Sequence, residues 1–153
     1  MGGSERALEL AFGHLSRRDR TEAELRRHLA AKDVGERDAD AAIAEVTRMG
    51  YLDDARYART FAEDRRNLDN WGAERIERRL LELGVDRDHV AAAIGERDGA
   101  AELESALELL RRRLRSVPAT ERERERALGM LVRKGYELEV AYDAVRAFER
   151  ATA

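Results

Sequence analysis

The sequence predicts an all-α fold, three tandem three-helix repeats forming an elongated, curved helical array. Three observations carry this expectation. Charged residues make up 40% of the 153-residue chain and aromatics only 5%, with a single proline. That composition is poor in the aromatic, β-branched and turn residues a sheet protein of this size needs, and it suits helices. Apolar positions also recur at a step of 51 residues: Leu29, Leu80 and Leu131; Val34, Val85 and Tyr136; Ala39, Val90 and Ala141; Ala42, Ala93 and Ala144; Ile43, Ile94 and Val145. A repeat on this scale is the mark of stacked supersecondary units. Finally, the spacing inside the copies is helical. Ala39, Ala42, Ile43 and Val46 follow i, i+3, i+4, i+7, and Ala141, Ala144, Val145 and Phe148 repeat the pattern, as one buried helix face requires.

Taken in order, the expected helices cover 4–17, 21–32, 37–49, 54–67, 72–83, 87–97, 100–115, 120–134 and 138–150. Thr21 with Glu24 and Thr120 with Glu123 read as capping boxes that open the second and eighth helices. Asp53 follows Gly50-Tyr51-Leu52 and is placed to cap the fourth. Gly50, Gly84 and Gly135 each follow an apolar-periodic stretch, where a left-handed residue closes a helix at little cost only if it is glycine. Grouping the helices in threes gives repeats at 4–52, 53–98 and 99–151, with formal charges of −1, −3 and +1. Tyr51, Tyr57, Phe61 and Tyr136 are expected in the core. Trp71, at a loop-to-helix junction, reads first as a core pin for the helix it precedes and second as an exposed binding anchor.

No pattern in the chain carries catalysis, a cofactor or a metal. The net charge of −3 gives no overall basic character, and the absence of cysteine excludes disulfides and thiolate metal sites. No run approaches the ~18 apolar residues of a membrane span, and Met1-Gly2-Gly3-Ser4 lacks the features of a signal peptide or a phosphate loop. His14, His28 and His89 are the only histidines. None has a metal-ligand partner at helical spacing, so they read as solvent-facing or locally satisfied. Asp53-Asp54 could be imagined as an acid/base or Mg²⁺ pair, but a cap followed by a favourable first-turn charge explains it. Ser4, Ser16, Ser105 and Ser116 show no nucleophile–base pattern.

Arginine is the one residue type whose placement points outward. Arg17 and Arg18, then Arg65 and Arg66, then Arg111, Arg112, Arg113 and Arg115 recur near the ends of the first helices; Arg26 and Arg27, then Arg75, Arg78 and Arg79 lie on the second helices. Any one of them can be a solvated cation favoured by the helix dipole or by an i,i+4 pair such as Glu22–Arg26 or Glu74–Arg78. As a set they suggest a basic stripe.

Four stretches resemble the RecX family of bacterial regulatory proteins: Arg17 to Arg26, Gly50-Tyr51-Leu52-Asp53-Asp54-Ala55-Arg56-Tyr57-Ala58, Gly72-Ala73-Glu74-Arg75-Ile76 continuing to Leu80, Gly84 and Val85, and Leu131 to Tyr136. Their order and spacing cover nearly the whole chain. The resemblance implies a non-enzymatic, cytoplasmic protein without cofactor, acting as a monomer, whose partner is RecA and the RecA–DNA filament. Its expected effect is to restrain the ATPase, strand-exchange and co-protease activities of RecA. On that reading Arg17, Arg18, Arg26, Arg27, Arg65, Arg66, Arg75, Arg78 and Arg79 contribute to the filament-binding face, with direct DNA contact possible, while Gly50, Tyr51, Leu52, Asp53, Gly72, Gly84 and Gly135 shape the backbone. A stand-alone helical-repeat nucleic-acid binder and a generic helical scaffold for another protein are the alternatives. The negative net charge and the lack of an aromatic stacking platform weigh against the first of these.

Overall fold

The apolar periods place helices where the computed structural model has them. The structure describes residues 2–95 and 98–152, the last without its side chain. Among these, all regular structure is helical, in nine elements: α1 (Gly3–Arg17), α2 (Glu22–Ala31), α3 (Glu36–Arg48), α4 (Asp54–Asp69), α5 (Ala73–Glu82), α6 (Arg87–Ile94), α7 (Gly99–Arg113), α8 (Glu121–Arg133) and α9 (Leu138–Thr152). The ends fall within a few residues of those expected. The largest difference is α6, which stops at Ile94 because Gly95 turns left-handed at φ +70°. The last two residues of the expected span, 96 and 97, lie outside the described residues.

The caps are the expected ones. Thr21 Oγ1 accepts from the Glu24 amide at 3.2 Å, and Thr120 Oγ1 from the Glu123 amide at 3.1 Å. Asp53 Oδ1 accepts from the Arg56 amide at 3.0 Å, which holds its carboxyl below the usual carboxylate range. The return arm of the expected box forms in neither: the Glu24 carboxylate pairs with Arg18 at 3.3 Å, and the Glu123 carboxylate accepts from the Ala119 amide at 2.6 Å, one residue before the cap.

The helix stops reveal a regularity that glycine alone conceals. Val34, Val85 and Tyr136 donate their amides to the carbonyls of Leu29, Leu80 and Leu131 at 3.0, 3.1 and 3.1 Å. The left-handed residue inside each of these turns is Asp33 (φ 61°), Gly84 (φ 84°) and Gly135 (φ 105°). All three therefore stand 51 residues apart, and the first is an aspartate, whose short polar side chain tolerates this region better than most. Gly50 (φ 82°) belongs to a different turn, the one closing α3. There Tyr51 donates to the Val46 carbonyl at 2.9 Å and the Arg56 guanidinium to the Gly50 carbonyl at 3.0 Å.

Contacts gather the described chain into two compact units, Met1–Thr60 with Leu80–Ala93, and Phe61–Arg79 with Ile94–Ala153. In the first unit α1 packs on α3 around Ala7, Ala11, Leu25, Leu29, Ile43 and Val46. In the second, α7 packs on α9 around Ala106, Leu110, Leu131, Tyr136, Val145 and Phe148. Leu29, Leu80 and Leu131 are all fully buried. Tyr136 is buried as expected, and Tyr57 and Phe61 are half-buried. Tyr51 is not a core residue: it is 56% exposed, with the edge of its ring on Phe12. Gly50 turns the chain out of α3 there, and Leu52, 3% exposed, takes the inward place instead.

Candidate functional site: helix junctions and exposed arginines

The starts of the second helices of the first two repeats, α2 and α5, are completed by residues far along the chain. In the first unit, buried Thr21 accepts from Glu24 and donates its hydroxyl to the Leu83 carbonyl at 2.7 Å, just past the end of α5. The next free amide, Glu22 N–H, is taken by Asp54 Oδ1 at 2.9 Å. In the second unit, α5 meets the end of α8 in the corresponding way. The Gly72 amide donates to the Lys134 carbonyl at 2.8 Å, the Glu74 amide to the Gly135 carbonyl at 3.1 Å, and the Ala73 amide to Glu102 Oε1 at 2.9 Å. Thr21 and Gly72 are 51 residues apart, as are Glu22 and Ala73. The same helix-end problem is thus solved twice, by carbonyls after a later second helix and a carboxylate from a later first helix.

Asp54 is more than a first-turn charge on α4. Its half-buried site raises its carboxyl above the usual range, burial outweighing the hydrogen bond from Glu22. A carboxyl raised in the folded state favours folding below its ordinary titration range, and that contribution is lost as pH rises through the folded value. Asp54→Asn keeps an acceptor for Glu22 and removes the desolvated charge. This variant is expected to be at least as stable as the parent at neutral pH and to lose that advantage as the pH falls. Asp54→Ala should cost about 0.5–2 kcal/mol. Denaturant titrations of all three chains across the acidic range measure both effects; an Asn variant as unstable as the Ala variant would contradict them.

A buried network follows in the second unit. Tyr136 donates its hydroxyl to the Asn70 carbonyl at 2.6 Å and shares a hydrogen bond with Ser105 Oγ at 2.7 Å. Burial pushes its phenol up to about 12. Asn70 is 3% exposed and left-handed at φ 53°, and its side-chain oxygen accepts from Arg112 at 2.5 Å. Trp71 is half-buried beside it. The Arg75 guanidinium lies 4.0 Å from its ring centroid, and Phe61 packs edge-on at 6.0 Å. Trp71 therefore serves as a pin, but one clamped by a cation as well as by apolar neighbours.

The arginines singled out from the sequence divide by what they touch. Arg26 is bound to Asp40 at 2.6 Å and pairs with Glu22 at 3.5 Å. Arg65 pairs with Asp69 at 2.5 Å and lies beside the Phe61 and Trp71 rings. Arg66 donates to the Ile94 carbonyl at 2.9 Å, and Arg75, besides covering Trp71, reaches the Arg133 carbonyl at 3.4 Å. These four are held by internal partners that lie on other turns or other helices. Arg18 pairs with Glu24 at 3.3 Å while its side chain stays 55% exposed. Arg17, Arg27, Arg78 and Arg79 are exposed.

His14 and His28 are not separate solvated histidines. Their rings stack at 3.7 Å with a 5° interplanar angle. Burial first, then the neighbouring His28 and the arginines at 20, 18 and 17, lower His14 to about 4, and burial with nearby cations lowers His28. At neutral pH the pair is uncharged, which lets two imidazoles share a face without repulsion. Among the described residues, no group of three or more His, Cys, Asp or Glu side chains is placed to hold a metal ion. Nor is any described helix long and apolar enough to cross a membrane.

These features define a tandem three-helix-domain protein. Three family models match in order: RecX first three-helix domain at residues 7–45, second at 53–94 and third at 100–145. The chain belongs to the RecX family of regulatory proteins. It is 39% identical over 145 residues to a regulatory protein RecX of Thermus thermophilus, covering 94% of this chain and 92% of that one. It is 32% identical over 144 residues to the regulatory protein RecX of Amycolatopsis mediterranei, covering 93% and 82%. The crystal structure of RecX from Lactobacillus salivarius superposes with a TM-score of 0.82 at 17% identity, over 96% of this chain and 97% of that one, a likeness of fold.

Proposed function

We propose that this chain is a non-enzymatic cytoplasmic regulator that binds the RecA–DNA filament and mainly restrains RecA's ATPase, recombinase and co-protease activities. Membership of the RecX family is the observation that carries the reading. The arginine pattern supports it. Arg27 and Arg78 occupy the same register of α2 and α5, 51 residues apart, and both are exposed. A guanidinium in such a position can grip a carboxylate or a phosphate bidentately. Arg17, Arg18 and Arg79 add exposed positive charge to the proposed face, while Arg26, Arg65, Arg66 and Arg75 contribute by shaping the helices that present it. A monomer with several modest contacts along a repeating filament gains from effective concentration, so no single contact need be strong.

The double variant Arg27→Glu/Arg78→Glu is expected to keep the parent's helical content by circular dichroism. It should need about tenfold or more protein for half-maximal inhibition of RecA's single-stranded-DNA-dependent ATPase, a loss of ~1.4 kcal/mol or more. Binding to preformed filament, compared with binding to bare DNA, separates filament recognition from plain DNA affinity. A folded double variant that inhibits as well as the parent would remove this pair from the interface.

A further inference from the structure

A dense collection of cations without ion pairs lies beyond the nine arginines of the proposed face, next to Arg75, which reaches the Arg133 carbonyl. A cavity of about 430 Å³ opens where α7 ends, the chain turns through Ser116 and Pro118, and α8 begins. Arg126, Met130 and Arg133 follow i, i+4, i+7 and so line it from one face of α8. Arg113 and Arg115 line it from the other side, flanking the extended residue Leu114. Four arginines thus line the cavity together with Leu114, Ala127 and Met130.

Several arginines elsewhere in the fold hold a carboxylate: Arg26 with Asp40, Arg48 with Glu45, Arg65 with Asp69, Arg111 with Glu104, Arg124 with Glu149, Arg146 with Asp143. Among the described residues, none of the four cavity arginines has an ion-pair partner. The one carboxylate in the lining, Glu123, is already committed to the Ala119 amide at 2.6 Å. Lys134 stands in the same field: burial first, then Arg113 and Arg75, lower its ammonium below the usual range. Four cations around one concavity against a single carboxylate leave a net positive charge, which raises the local potential and concentrates anions there.

We propose that this cavity between α7 and α8 is an oligophosphate-binding site, in which Arg113, Arg115, Arg126 and Arg133 grip successive phosphate groups. Phosphate is the chemistry that matches. Guanidinium forks engage its oxygens bidentately, and several forks around one groove need several linked anions rather than one. The lining contains no aromatic ring on which a base could stack, so recognition is of the phosphate chain and is indifferent to the base. Two sources offer that chemistry, the phosphate tail of a free nucleotide and consecutive phosphodiesters of a nucleic-acid strand. The site stands on its own residues and does not depend on the filament reading.

The test uses the full chain, titrated calorimetrically at low salt with inorganic tripolyphosphate, with ATP and with a short oligothymidylate. Saturable binding of tripolyphosphate is expected. Arg126→Glu/Arg133→Glu should weaken it by about tenfold or more, while Arg37→Glu/Arg87→Glu, with the same change in net charge on exposed residues elsewhere, should not. Arg115→Glu, in the connection outside any helix, provides a second variant should the first lose helical content. Competition by oligothymidylate with a steep salt dependence assigns the phosphates to a strand. Competition by ATP alone assigns them to a free nucleotide. The proposal falls if the parent binds neither tripolyphosphate nor oligothymidylate at low salt, or if the two double variants lose binding equally.

Discussion

Gly135→Ala should destabilise the protein by about 3–5 kcal/mol, the sum of a left-handed backbone penalty and an over-packed contact. Gly135 sits at φ 105°, which an L side chain rarely adopts. A Cβ there would also lie 2.6 Å from the Arg75 backbone nitrogen and 2.8 Å from the Gly72 carbonyl oxygen, and would strike the Arg75 Cβ as well. Backbone cannot swing aside as the tip of a long side chain can. Moving it would break the Glu74–Gly135 and Gly72–Lys134 hydrogen bonds that complete the start of α5. Gly72 faces the same constraint from the opposite side, its Cβ falling 2.7 Å from the Tyr136 nitrogen. The matched experiment is Asp33→Gly, at the same place in the first repeat. Asp33 is exposed and left-handed, so glycine there should stabilise by up to about 1 kcal/mol. Urea midpoints at constant m-value measure both. A Gly135→Ala variant within about 1 kcal/mol of the parent would contradict the packing described.

Leu80→Ala should cost about 2–5 kcal/mol, as should the corresponding changes at Leu29 and Leu131. All three are fully buried. Each lies on the inner face of a second helix, and each carbonyl accepts the amide that closes the turn after that helix. Truncation removes the side chain's transfer energy and leaves a cavity that a turn pinned at both ends cannot collapse to fill. Within that range the spread reports how far each site can relax. Denaturant unfolding of the three single variants provides the numbers. A loss below about 1 kcal/mol at any one of them would break the equivalence inferred from the 51-residue step.

The helices were legible because their apolar stripes are local. Ala39, Ala42, Ile43 and Val46 announce α3, and the structure buries all four. The glycine stops at 50 and 84 were legible for the same reason, whereas Asp33 was not, since an aspartate gives no signal that its backbone is left-handed. The step from Gly84 back by 51 residues was the one clue available. Asp54 shows the limit from another side. Its role depends on Glu22, 32 residues away, and nothing in a window around either residue announces the pair. The arginines were visible as a class but could not be sorted, because what distinguishes Arg66 from Arg78 is a carbonyl at Ile94. The cavity arginines show both cases. The i, i+7 spacing of Arg126 and Arg133 could be read directly, but its meeting with Arg113 and Arg115 depends on how the turn through Pro118 folds back.

The bond from Thr21 to Leu83 also bears on synthesis. Its partners are 62 residues apart. At a translation rate of about 5–20 residues per second, Thr21 precedes by on the order of 3–12 seconds the carbonyl that accepts its hydroxyl. Through that interval the nascent α1–α3 segment holds its apolar stripe with one end unfinished. Slowing elongation between codons 53 and 83 would lengthen the exposure and give proteases and aggregation more time to act, with no change to the final sequence.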